Sequence, residues 1–127
     1  MLRMIVTAIL LALALAPAEA QEQTSKDYAA CVDKAAGAAI PMQDCIANEQ
    51  VRQTRRLQAA LSALMTSMPA KRSQLRNAQR KWGDFRDAHC SFFDSGKVVQ
   101  AVRLAANECV LNFTVQRAAE LEKLKAP

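Results

Sequence analysis

Four cysteines, Cys31, Cys45, Cys90 and Cys109, constrain what this chain can fold into more than any other feature. No two are close enough for the Cys-x2-4-Cys spacing of a zinc site, and no Cys-x-x-Cys is present to act as a redox pair. An even count in a short chain outside the cytosol points instead to two structural disulfides. Spacing alone leaves all three pairings open.

The N-terminus supplies the compartment. Arg3 is followed by an almost wholly apolar run from Ile5 to Ala16, then Pro17 and the small-x-small site Ala18-Glu19-Ala20. This is the pattern of a secretory signal peptide over residues 1–20, cut between Ala20 and Gln21. The run is shorter than the ~20 apolar residues of a spanning helix, so no stable membrane anchor is expected after cleavage. Gln21 stands where a lipoprotein carries cysteine, so no lipid anchor is expected either. The expected product is a single domain over residues 21–127, in a periplasm or outside the cell.

Composition narrows the fold class. Glycine (3) and proline (4) are too few for the many turns of a β-sandwich or barrel. The reading is all-α: a small, disulfide-stapled antiparallel bundle of about four helices. Ser25 suits an N-cap for a first helix over 26–36, which Gly37 ends. Pro41 fits the first turn of a long second helix reaching about Thr66, with Leu57, Leu61, Leu64 and Met68 at helical spacing. Met68, preceding Pro69, is a boundary. A third helix runs to about Phe93, with the stripe Leu75, Ala78, Trp82, Phe85, His89 and Phe93. Asp94-Ser95-Gly96 is a turn. A last helix carries Val102, Ala106, Val110, Phe113, Arg117, Leu121 and Leu124 on one face. Residues 21–25 read as a frayed polar end.

If the second and third helices fold back on each other about Ser67–Met68 as a long central hairpin, Cys45 and Cys90 lie level. So do Glu49 and Arg86, which are then expected to form an inter-helix ion pair. Trp82, Phe85 and Phe93 read as core filling, Arg86 and Asp87 as register-holding charges, and Phe92, off the main stripe, as an exposed contact.

The most distinctive stretch is Ala-Gln-Arg-x-Trp-x-x-Phe-Arg-Asp-x-x-Cys over 78–90. It is preceded by Cys31 and by Cys45-x-x-x-Glu49, and followed by Cys109-x-x-x-x-Thr114-x-x-Arg117-x-x-x-Leu121. This order, from Tyr28 to Leu121, resembles the LprI-type lysozyme-inhibitor domain, a family of small exported bacterial domains. The resemblance implies a disulfide-stapled helical bundle and the pairing Cys31 with Cys45 and Cys90 with Cys109. It also implies protein–protein contact with a lysozyme or muramidase. Two departures are visible. The founding type is a lipoprotein, and Arg52, Arg55 and Arg56 stand here where family members commonly carry acids.

Catalysis is not expected. The single His89 has no nucleophile partner once the cysteines are spent in bridges, and no phosphate loop, HExxH or nucleophile elbow occurs. No metal or cofactor is expected. For an inhibitor-like binder, the turn residues Ser95, Gly96 and Lys97 beside Phe92 are the candidate contact. The alternative rests on the net charge of +5. Outside the cytosol, that charge points away from nucleic acid, towards an anionic envelope polymer or lipid met through the basic helix faces.

Overall fold

The computed structural model describes residues 23–93 and 100–124. Among them are four α-helices and no strand: α1 (Lys26–Ala35), α2 (Ala39–Ser67), α3 (Arg72–Cys90) and α4 (Gln100–Lys123). Short 3-10 turns, Pro69–Lys71 and Ser91–Phe93, flank α3. The all-α bundle read from the composition is what the chain forms. The Ser25 hydroxyl accepts the Tyr28 N–H and caps α1. The chain then reverses through Ala36 (φ 47°) and Gly37 (φ 79°), and glycine is the residue that occupies this left-handed region at no steric cost. At Met68, φ −127° and ψ 67° leave the α region, as the following proline requires.

Side-chain pairs give the helix directions. Ser25 meets Glu49 and Cys31 meets Cys45, so α1 runs antiparallel to α2. Gln79 meets Arg117 and Cys90 meets Cys109, so α3 runs antiparallel to α4. Gln50 meets Thr114 and Arg56 meets Glu122, so α2 and α4 lie parallel. The disulfides are Cys31–Cys45 and Cys90–Cys109, with Cα–Cα separations of 5.7 and 5.6 Å. Both sit at the end of the bundle remote from Met68. Each closes a short loop, worth ~3 kcal/mol in the chain-entropy account.

The core is built around α4. At the disulfide end, Ile46, Leu111 and Val115 are buried together, covered by Tyr28 and Leu104. Towards the Met68 turn, Leu57, Leu64, Ala118 and Leu121 are buried, with Leu61, Met68, Leu75 and Trp82 against them. Leu111 and Leu121 are 1% exposed, and each contributes ~1.5–3 kcal/mol of burial. The α2 stripe Leu57, Leu61, Leu64 and Met68 therefore packs as its spacing predicts.

Three expectations need correction. The hairpin of α2 and α3 exists, but the extensive packing partner of α2 is α4. The buried line of α4 runs through Leu111, Thr114, Val115, Ala118 and Leu121, with Phe113 and Arg117 on its flank. This helix touches α2 on one side and α3 on another, so its apolar residues are not confined to one stripe. The ion pair of Glu49 with Arg86 does not form. Successive helical residues point about 100° apart, and it is Gln50 that turns towards α4, donating to Thr114. Glu49 turns towards α1.

Glu49 is 1% exposed. Its carboxylate accepts from the Ser25 N–H (2.8 Å), the Ser25 hydroxyl (2.6 Å) and the Gln53 amide (2.7 Å), with Arg52 at 3.8 Å. The same Gln53 amide and Arg56 both donate to the Gln23 carbonyl. Residues 23–25 are therefore tied down rather than frayed. Burial alone would raise the Glu49 pKa. The hydrogen bonds from Gln53 and Ser25 and the charge of Arg52 outweigh it, and the group titrates below the ordinary carboxylate value. Hydrogen bonding from Arg56 lowers Glu122 in the same direction.

Glu49→Ala strips three donors of their acceptor and is expected to cost about 3 kcal/mol. In a thermal melt that is a fall of roughly 10–20 °C for a domain of this size. A melt within ~2 °C of wild type would remove Glu49 from its structural role. Because its native pKa is depressed, the stability from Glu49 is complete above the unfolded carboxylate value of ~4.3 and drains as pH falls through the native value. Melting profiles across that window should show a smaller acid loss in Glu49→Gln than in wild type.

Candidate functional site: an aromatic face at the disulfide end

The inward line of α3 runs through Leu75, Gln79, Trp82, Gly83, Arg86 and Cys90. It shares Leu75 and Trp82 with the line read from the sequence and then turns about one residue away from it. Polar side chains hold that setting. The Arg117 guanidinium donates to Gln79 (3.2 Å) and pairs with Glu120 (2.8 Å). The Arg86 guanidinium lies 5.1 Å from the centre of the Trp82 ring, with Arg117 at 5.9 Å from the same ring. Such cation–π contacts are worth ~0.5–2 kcal/mol. Arg86 also reaches the Thr114 hydroxyl at 3.4 Å. Thr114, 1% exposed, takes a 2.9 Å bond from Gln50 and donates to the Val110 carbonyl.

Trp82, Arg86 and Arg117 thus act together at the α2–α3–α4 junction. Asp87 is exposed, and among the described residues its carboxylate pairs with the neighbouring Arg86 (2.7 Å). Sequence reasoning missed the partners Gln53, Gln23 and Thr114. The i, i+4 spacing of Glu49 and Gln53 and the N-cap position of Ser25 were the signals that could have found two contacts of the Glu49 network.

The turn of α3 moves its rings outward. Phe85 is 56% exposed and Phe93 46%, so the expectation that they fill the core is overturned. The Cys90 bridge and the Gln79 and Arg86 contacts fix the inner face, and Phe85 and Phe93 fall off it. Phe85 instead meets Phe113 edge-on at 5.7 Å, and His89 sits 5.7 Å from Phe85 and 5.1 Å from Phe113. Beside these rings is a shallow hollow of about 380 Å3, lined by His89, Phe93, Ala105, Glu108, Asn112 and Phe113 among others. Phe92 is 89% exposed, in the 3-10 turn that follows Cys90.

The Cys90–Cys109 bridge ties together the two ends of the segment that bears Phe92 and Phe93. Ser95, Gly96 and Lys97, the sequence-derived contact residues, lie outside the described residues, as do Ala20 and Gln21 at the expected cleavage site. Chemically this face offers rings, an imidazole and amides. Among the described residues all four cysteines are bridged, and no group of three His, Cys, Asp or Glu side chains is placed to hold a metal ion. No helix among them is long and apolar enough to cross a membrane.

Charge is divided along the bundle. Residues 50–83 and 117–124, towards the Met68 turn, carry ten Lys or Arg and two Asp or Glu. The remaining described residues, which make up the disulfide end, carry four Lys or Arg and seven Asp or Glu. A net basic protein therefore presents its aromatic face on a mildly acidic end.

No curated protein and no solved structure matches the chain in sequence or fold comparison. A family model described as lysozyme inhibitor LprI matches residues 16–121, a span that holds both bridges, the buried Glu49 and the Trp82–Arg86–Arg117 junction. The chain belongs to the LprI family.

Proposed function

We propose that this is an exported, lysozyme-inhibitor-like binding protein that acts by direct contact with a lysozyme or muramidase. Membership of the LprI family carries the proposal, because the family description names inhibition of lysozyme. The signal-peptide pattern of residues 1–20 supports a periplasmic or secreted location, and the mature domain starts at Gln21 in this reading.

The contact surface is the aromatic face with the segment that follows it: Phe85, Phe92 and Phe93, then Ser95, Gly96 and Lys97. Three features support this choice. Exposed rings are over-represented among the residues that dominate protein interfaces. The bridge at Cys90 and Cys109 restrains the ends of the segment and so lowers the entropy lost on binding. The acidic balance of the disulfide end also suits a basic enzyme. The net charge of +5 repels such an enzyme at long range, but the cations responsible are gathered at the opposite end. No catalytic step is assigned to this chain. Its effect on the enzyme is occlusion.

Lysis of bacterial cells by c-, g- and i-type lysozymes, with and without the oxidised protein at micromolar concentration, tests the reading. At least one class should be slowed, and no slowing of any class would defeat it. Phe92→Ser and Phe85→Ser should each weaken inhibition, on the order of 30-fold for a ring at the centre of the contact. Phe92→Ser should leave the melting temperature within ~2 °C of wild type, since that ring is 89% exposed. Phe85→Ser also loses the ring contacts with Phe113 and His89 and should lower it by roughly 3–6 °C.

A further inference from the structure

We propose that the end of the molecule opposite the disulfides is a docking surface for an anionic lipid bilayer. Between Glu49 and Asp84 the sequence holds eight Lys or Arg and no Asp or Glu. Of these, Arg55, Lys71, Arg72, Arg76, Arg80 and Lys81 are exposed, and none forms an ion pair with a described residue. The two acids that α4 brings to this end are already neutralised. Glu122 is bound by Arg56 at 2.6 Å and Glu120 by Arg117 at 2.8 Å.

Arg72 has one contact that serves the fold, donating to the Met65 carbonyl near the C-terminus of α2 (2.8 Å), and Arg80 donates to Asn77 within α3 (2.7 Å), but the spacing of the cations is otherwise unfavourable to the helix. Arg72, Arg76 and Arg80 recur at four-residue spacing along α3, where like charges repel. Lys71 and Arg72 stand at the N-terminal end of that helix, where the backbone dipole already disfavours a cation, and the first turn has no acid to offset them. The helix keeps a charge pattern that weakens it, which is expected where the cations serve an external anion.

The form of the surface selects the anion. At the same end of the bundle, between α2 and α4, is an open hollow of about 430 Å3 lined by Ala60, Ala63, Leu64, Leu121 and Leu124, with Ser67 and Glu122. Leu124 is half exposed there. A soluble polyanion would engage the guanidinium groups and leave these apolar groups in water. A bilayer offers both parts: headgroup phosphates for the cations and the glycerol–acyl boundary for the hollow. Seated this way, the protein holds Phe92 and the aromatic face away from the membrane, so the two surfaces do not compete.

The test is co-sedimentation of the processed, oxidised protein with phosphatidylcholine vesicles, with and without phosphatidylglycerol. Binding should require phosphatidylglycerol and fall as salt rises. Each cation near a charged bilayer adds about fivefold to partitioning, so Arg72→Gln, Arg76→Gln and Arg80→Gln combined should lower it on the order of 100-fold. The pair Arg55→Gln and Lys81→Gln, on two different helices, should lower it about 30-fold. Circular dichroism of both variants should match wild type. Equal sedimentation with neutral vesicles, undiminished binding by the folded variants, or capture by soluble dextran sulfate without vesicle binding would overturn the proposal. Lysozyme inhibition is measured without vesicles, so failure of one proposal leaves the other standing.

Discussion

A carboxylate placed where water cannot reach it has to be surrounded by donors, and Glu49 organises the N-terminal half of this bundle by meeting that requirement. The donors come from two directions. Gln53 stands one turn along the same helix, while Ser25 comes from the segment ahead of α1. Ser25 cannot satisfy Glu49 without also standing at the cap position of α1, because the same hydroxyl accepts the Tyr28 N–H. Capping, helix docking and the placement of Cys31 opposite Cys45 are therefore one linked event. The apolar contacts of α1 are few: Ala35 is its single buried residue, and Tyr28 covers the Ile46 cluster. Polar geometry supplies what burial does not.

The α3 side of the molecule solves a similar problem with different groups. Cys90 is the one buried residue of α3. Its other inward contacts are Leu75, the Trp82 ring and two polar side chains, Gln79 and Arg86. A helix attached so lightly could rotate, and its own composition offers a competing face in which Phe85, His89 and Phe93 point inward. The disulfide and the Arg–Trp–Arg contacts remove that alternative. Three rings remain at the surface as a consequence, which is costly for an isolated soluble domain and useful for one that binds a partner.

Much of the fold was legible in the chain because it depends on local rules. Ser25 as a cap, Gly37 as a reversal and Met68–Pro69 as a break were each fixed by a residue whose conformational preferences are strong. The order of cysteines and motif residues matched a known family, and with it came the disulfide pairing. What could not be read was rotation. Trp82 lies on both candidate faces of α3, and apolar spacing does not distinguish Phe85 from Arg86 when an arginine can pack against an indole and reach a buried threonine. The parallel partnership of α2 with α4 was equally hidden. Chain order suggests that neighbours pair, whereas Ala118, with no exposed surface, lets α4 come close to a helix two elements away. For the site, Phe92 was legible because it falls off every stripe. Phe85 was not, because it falls on the wrong one.

The two ends of the bundle differ for a reason that follows from this construction. At the disulfide end the helices are held by covalent bridges and by Glu49, so the outer residues are free to be aromatic or weakly acidic. Towards the Met68 turn, packing rests on leucine and alanine between α2 and α4, and that core places no demand on the outer positions of α2 and α3. Arg72 steadies the turn by donating to the Met65 carbonyl at 2.8 Å, but the charge gathered around it goes well beyond that contact. Six exposed cations without ion-pair partners must repel one another across the turn, and the Arg56–Glu122 and Arg117–Glu120 pairs spend the acids that α4 provides. A concentration of charge that the fold does not neutralise is best understood through what lies outside it. The separation of that charge from the aromatic face allows one small domain to rest on one surface while presenting another.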